Sequence, residues 1–206
     1  MKKIILAAMA ALLLVSLAAS GVQSAEAAGT NKILIACFSR AGENYSVGTV
    51  KKGNTQIIAE MIAEKTGGAM FRIETAKPYP DNYKECVEVA RKELAANARP
   101  QLKADAANFD SYATIFIGYP IWCGEMPMAV YSFIEKHNFA GKTVVPFCTN
   151  EGSGLAGTEQ ELKSVCKGAK VLKGLAVRGA TAQNSQNEAR GEVTDWLKGL
   201  KITKTN

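Results

Sequence analysis

Histidine is nearly absent from this sequence: among 206 residues there is one, His137. Five cysteines, Cys37, Cys86, Cys123, Cys148 and Cys166, form no C-x-x-C pair and no Cys/His ligand spacing. That inventory argues against a zinc or haem centre. The chain also lacks a concentrated block of charge. Its formal net charge is +6, and removing Lys2, Lys3 and Glu26 leaves +5. The basic residues are scattered in Lys-Lys and Lys-Gly pairs with no interleaved aromatics, so a nucleic-acid footprint is poorly supported. A scattered basic surface suits solvation, or an anionic partner or envelope. There is no internal repeat and no long low-complexity linker.

What is present begins with a leader pattern. Residues 1–27 carry two lysines, an apolar run, and small residues ending in Ala-x-Ala at 25–27. This is the layout of a secretory signal peptide, with cleavage expected near Ala27 and no stable membrane span afterwards. The alternative is an uncleaved anchor, because the uncharged stretch 4–25 is long enough to cross a bilayer. No cysteine closely follows the run and there is no twin-Arg pair. Export makes disulfides accessible, but five cysteines leave at least one thiol free in a monomer.

Residues 28–206 are the size of one domain. Short apolar segments at 32–39, 70–76, 112–119, 142–149 and 170–179 read as strands, three of them nearly continuous in hydrophobicity, as in a sheet buried on both faces. Helical patterns lie between and after them at 54–68, 82–97, 128–138, 157–168 and 186–200. Asp81 is the candidate cap of the second helix. Pro127 suits the first turn of the third, and Gly67 and Gly68 stop the first. The alternation predicts an α/β three-layer sandwich around a parallel sheet. Ligands in such folds sit beyond the carboxyl ends of the strands.

Three loops occupy those positions. The first, 39–55, contains Ser39, Arg40, Gly53, Asn54 and Thr55, and its one acid is Glu43. It opens the first helix, whose free amides and dipole suit an anion. Within this loop neither the triphosphate nor the dinucleotide glycine pattern occurs, so a mononucleotide phosphate fits better. The second loop, "YPIWCGEMP" at 119–127, turns with Trp122 near its tip; the indole either packs back on the core or faces a ligand. The third, 148–157, is rich in glycine, which lets backbone approach a flat ligand. Together they suit a phosphorylated molecule with a planar ring.

The stretches "CFSRAGEN…KKGNT", "GYPIWCGEMPMAVYSFIE" and "PFCTNEGSGL" resemble the three flavin-binding loops of flavodoxin-like proteins. The resemblance covers about 32–200 and implies a flavodoxin-like domain over 28–206, with five parallel strands in the order 2-1-3-4-5 and an uninterrupted fifth strand. By that resemblance Ser39, Gly53, Asn54 and Thr55 hold the phosphate of FMN, with Arg40 nearby. Pro120, Ile121, Trp122, Cys123 and Gly124 line its ring. Thr149, Asn150, Glu151, Gly152, Ser153 and Gly154 close the other side. Gly124 is the candidate for a peptide that reorients with the redox state. Family members often carry a second aromatic where Cys123 stands; here Cys123 leaves more room or pairs with Cys148.

The implied activity is electron transfer with a redox partner protein, outside the cytoplasm. One alternative is a flavin-dependent oxidoreductase reducing a small molecule such as a quinone, with NAD(P)H as donor. Another is a flavin-free binding protein on the same fold. Of the remaining residues, His137 reads as a cap or surface residue and Trp196 as core. Tyr79 and Tyr83 flank a Pro-rich segment before the second helix, where they pack or meet a substrate.

Overall fold

The computed structural model describes residues 32–202, so the leader pattern at 1–27 lies outside the described residues. In chain order the elements are β1 (Ile33–Cys37), β2 (Gly42–Asn44), β3 (Gly48–Val50), α1 (Asn54–Thr66), β4 (Ala69–Arg72), α2 (Tyr83–Ala95) and β5 (Thr114–Pro120). They continue with α3 (Met128–Glu135), β6 (Thr143–Asn150), α4 (Thr158–Val165), β7 (Lys170–Val171), β8 (Leu175–Arg178), α5 (Gly179–Asn184) and α6 (Gln186–Leu200).

The main sheet runs β4-β1-β5-β6, with β7 and β8 both on the far side of β6, and every pairing in it is parallel. This is the expected 2-1-3-4-5 order. The strand interiors are apolar on both sides because both faces are covered. Leu34, Ala36, Ile115, Ile117 and Val144 point toward α3 and its neighbours. Ile35, Cys37, Phe116, Val145 and Phe147 point toward α1 and α6. The two-residue period of the strands thus supplies two separate cores.

The fifth strand is not continuous, contrary to expectation. Val144 pairs with Val171, but Phe147 pairs with Leu175. Two residues on β6 therefore face three on the outer strand, which is a bulge. Pro146 sits opposite the gap and has no N–H to give to the ladder. Gly174 fits there because an added Cβ would lie 3.0 Å from the Pro146 Cγ and carbonyl oxygen.

Three further differences are local. The first loop contains an antiparallel hairpin, β2–β3. An additional short helix, α5, precedes α6. The α2 cap is Asn82, not Asp81: the Asn82 side chain accepts from the Glu85 amide at 3.1 Å. Gly67 does end α1, in the left-handed conformation at φ 71°. His137 is no surface residue. Its side chain is 6% exposed, its Nδ1 lies 2.8 Å from the Phe133 carbonyl, and its Nε2 lies 2.9 Å from Asp105. It therefore closes the end of α3 while stacked on Phe109. Trp196 packs against the second core, edge-on to Phe116.

Candidate functional site

The carboxyl ends of β1, β5 and β6 open onto one cleft. Two struts hold the loops at its base. The Thr55 and Thr149 hydroxyls bond to each other at 2.7 Å, fully buried, tying the first loop to the third. The Ile121 amide donates to the Thr149 carbonyl at 2.9 Å, tying the second to the third. Each such bond contributes about 0.5–1.5 kcal/mol net.

At the start of α1, Gly53 is the cap residue. The Gln56 amide donates to Ser39 Oγ at 3.0 Å and to the Gly53 carbonyl at 3.1 Å. Among the described residues nothing accepts from the amides of Asn54 and Thr55. The Ser39 hydroxyl also keeps its own proton to donate. Gly53 is required by close approach: a Cβ would lie 2.3 Å from Ser39 Oγ and 2.4 Å from the Arg40 carbonyl oxygen. The Asn54 side chain is held by Gln183, whose Nε2 donates to Asn54 Oδ1 at 2.8 Å.

Arg40 acts mainly as a brace. Its Nη1 donates to the carbonyls of Pro80 (2.9 Å) and Asp81 (3.0 Å), and its Nη2 donates to the Glu43 carbonyl. Among the described residues its buried Nε has no partner. Glu43, the lone acid of the first loop, accepts from the Tyr83 amide at 2.9 Å and from Asn82 Nδ2 at 3.0 Å. It thereby caps α2 from 40 residues away.

The second loop turns tightly. Trp122 and Glu125 exchange both backbone bonds, at 2.9 and 3.0 Å, around Cys123 (φ 53°) and Gly124 (φ 85°). Two consecutive positive φ values are those of a type I′ turn. Trp122 is half-buried, with Phe38 and Tyr79 edge-on to it at ring separations of 5.3 and 5.0 Å. The indole both packs on the core and lines the cleft. Tyr79 in turn donates to Glu93 at 2.6 Å, and burial pushes both pKa values up.

The third loop is closed by Asn150, whose Oδ1 accepts from the amides of Gly152 (2.8 Å) and Gly154 (3.1 Å). Asn150 therefore shapes the loop with its side-chain oxygen. Residues 152–157 spell G-S-G-L-A-G, the letters of a dinucleotide pattern, but two of the amides such a loop would offer a pyrophosphate are already spent. Glu151 accepts from the Ala180 amide at 2.9 Å.

Of the residues anticipated from sequence, Arg40, Asn54, Pro120, Ile121, Trp122, Cys123, Thr149, Asn150 and Glu151 line the cleft. Ser39, Gly53 and Thr55 meet at the start of α1, next to the lining residues Arg40 and Asn54 but outside the lining itself. Gly124, Gly152, Ser153 and Gly154 are loop-tip residues outside the lining. Sequence reasoning missed most of the opposite wall: Asn44 and Tyr45 on the hairpin, and Cys86, Val87 and Ala90 on α2, where the anticipated Tyr83 joins them. Tyr45 is 63% exposed, its ring 6.0 Å from that of Tyr83. The spacing of Tyr83/Val87 and Cys86/Ala90, one helical turn each, is the signal that marks that face.

Cys123 and Cys148 do not pair; all five cysteines are free. Cys148 is buried, with Sγ directed at the Gly154 carbonyl (3.3 Å), and burial pushes its pKa up to about 12. Among the described residues no cluster of three or more metal-ligating side chains forms, and no helix is long and apolar enough to cross a membrane.

Comparison with known proteins gives a consistent result. The flavodoxin family pattern matches residues 32–198. A provisionally assigned flavoprotein from Bacteroides uniformis ATCC 8492 is 30% identical, with a TM-score of 0.65 covering 82% of this chain and 98% of the other. A second, from Bacteroides eggerthii DSM 20697, is 28% identical with a TM-score of 0.64, covering 84% and 99%. A flavoprotein from Lactobacillus acidophilus NCFM, solved in complex with FMN, shares the fold at 19% identity and a TM-score of 0.58, covering 76% and 99%. No curated protein matches.

Proposed function

We propose, from the premise that this chain belongs to the flavodoxin family, that its cleft binds FMN and that the protein carries electrons to a redox partner protein outside the cytoplasm. The observation that carries the reading is the start of α1. Two unspent amides and a hydroxyl meet there, at the positive end of a 13-residue helix, beside a half-buried indole. A phosphate accepts hydrogen bonds at such a terminus without a dedicated cation.

The residues present fit the group. Asn54 and Thr55 donate through their amides and Ser39 through its hydroxyl, while Gly53 keeps the loop close enough for all three to converge. Arg40 Nε is one donor of that guanidinium left over. Trp122 offers a ring edge or face, and such pairs add about 0.5–1.5 kcal/mol beyond area burial. The peptide between Cys123 and Gly124 is the group positioned to reorient, since a Cβ on Gly124 would meet nothing within 4 Å. Bound FMN supplies the one- and two-electron chemistry, and the protein sets its orientation and surroundings.

Equilibrium titration with FMN and with riboflavin tests the reading. The phosphate seat predicts markedly tighter binding of FMN; equal affinities, or no binding of either, overturn it.

A second reading, reduction of a small molecule such as a quinone, is favoured by the exposed Tyr45 beside Tyr83 at the cleft rim. NAD(P)H oxidation that depends on added quinone supports it over electron carriage. Action outside the cytoplasm rests on the leader pattern at 1–27. A mature N-terminus near Ala28 in the intact cell's product supports it, and a retained Met1 with cytoplasmic fractionation rejects it.

A further inference from the structure

We propose that Arg72, at the end of β4, is the positioning residue of the anion seat: it clamps Ser39 to the first turn of α1 and supplies the positive charge by which the seat prefers a phosphate ester to a neutral ligand. The inference rests on the flavin reading and adds to it a residue outside the cleft. Arg72 lines a neighbouring hollow, together with Ser39 and Arg40, and not the cleft itself. Its place follows from the sheet. β4 pairs with β1 so that Arg72 stands beside Cys37, two residues before Ser39. Side chains that pair across strands share a face, and here that face is the one covered by α1.

One guanidinium holds two parts of the seat. Arg72 Nη2 donates to the Ser39 carbonyl at 2.9 Å, and Nη1 donates to Gln56 Oε1 at 2.5 Å. The Gln56 amide in turn donates to Ser39 Oγ at 3.0 Å. The three residues therefore close a ring of hydrogen bonds, and Gln56 directly follows the two unspent amides of Asn54 and Thr55. The fork of an arginine is planar and rigid. It fixes the spacing between the Ser39 hydroxyl and those amides.

The same side chain carries charge that the protein leaves unspent. Both of its partners are neutral, and among the described residues it forms no ion pair. Gln56 extends the ring through Nε2, which donates to Glu60 Oε1 at 3.0 Å, while Glu60 Oε2 accepts from Lys52 at 2.7 Å. Lys52 and Glu60 offset each other, so the chain of four side chains keeps a net positive charge at its Arg72 end. That charge reaches its surroundings: burial pushes the neighbouring Cys37 thiol up to about 12, and Arg72 acts against the rise. An anion at the start of α1 is attracted by it, and a neutral ligand is not.

The test measures dissociation constants for FMN and riboflavin by fluorescence quenching, at low and at raised KCl, on the unsubstituted protein and its variants. Removing a residue one shell behind a bound metal ion costs about 10–100-fold in affinity. Arg72→Met should weaken FMN by about tenfold, at the lower end of that range, and leave riboflavin nearly unchanged. It should also lessen the KCl dependence of FMN binding, which a merely structural role would not do. Arg72→Lys keeps the charge without the fork and should recover part of the loss. Gln56→Met leaves the charge and the bond to Ser39, so it should lose less than Arg72→Met and keep the KCl dependence. Equal losses for the two flavins, an unchanged FMN affinity, or an unchanged KCl dependence in Arg72→Met would each overturn the role of Arg72. Where Arg72→Met does not fold, Arg72→Lys decides: a loss confined to FMN supports the proposal, and equal losses overturn it. Equal binding of the two flavins by the unsubstituted protein would instead overturn the phosphate seat, and the proposal with it.

Discussion

Gly53→Ala is the sharpest probe of the anion seat. The new Cβ would sit 2.3 Å from Ser39 Oγ, 2.4 Å from the Arg40 carbonyl oxygen and 2.8 Å from the Arg40 carbonyl carbon. Ordinary contacts of this kind start near 3.4 Å, so the overlap is about 1 Å and two of the three atoms are backbone. The serine cannot relieve it by changing rotamer. The first turn of α1 has to move away from the first loop, and the amides of Asn54 and Thr55 move with it. Hydrogen bonds to a charged group contribute about 1.5–3 kcal/mol each. Weakening two of them costs FMN about 3 kcal/mol, or roughly 150-fold in Kd. Riboflavin, without the phosphate, should lose far less. The assay is flavin fluorescence quenching with both ligands, alongside Gly191→Ala on α6 as a control, where φ is not positive and a Cβ would meet nothing within 4 Å. Equal losses for FMN and riboflavin, or an unchanged FMN affinity, would refute the assignment of this turn to the phosphate.

Three further outcomes are expected. Gly118→Ala places a Cβ 2.1 Å from Cζ of the fully buried Phe147. Overpacking of about 1–3 kcal/mol should lower Tm by about 2–4 °C per kcal/mol, with partial rescue by Phe147→Leu; calorimetry showing no loss, or strict additivity, contradicts this packing. Asn82→Ala should cost about 1 kcal/mol by removing the α2 cap, read by urea denaturation, and most of that cost should persist in a Glu43→Ala background because the bond to the Glu85 amide does not involve Glu43. Glu93→Gln should stabilise the protein at pH 7. Burial raises the folded pKa of Glu93 above 4.5, so its favourable contribution is present in acid and fades as pH rises through the folded value. Gln imitates the neutral acid at every pH, so the Tm gap should widen from pH 4 to pH 7; a more stable wild type at pH 7 would reverse the sign.

The parts legible in the sequence were those fixed by neighbours along the chain. Apolar strands such as 114–120 declare themselves by composition, and Gly67 ends α1 where a left-handed residue is needed. The order of the sheet and the three converging loops followed from the motifs. What escaped was set by residues far apart. Glu43 reads as a stray acid in a polar loop until α2 arrives beneath it. Asn150 reads as a ligand contact, yet its oxygen is consumed by two amides of its own loop. The break in the outer strand depends on a proline in the neighbouring strand, across the sheet. The aromatic wall of Tyr45 and Tyr83 depends on a hairpin that no run of alternating residues announces.

The Arg40 brace has a mechanical consequence. The hairpin and the head of α2 hang together through Glu43, and one guanidinium fastens that assembly to the end of β1. The mouth of the site is therefore framed on one side by a panel that this arm helps to fasten. How wide it stands open depends on a side chain most of whose bonds point to carbonyls, so shortening that arm would loosen the frame as well as remove a group from the lining.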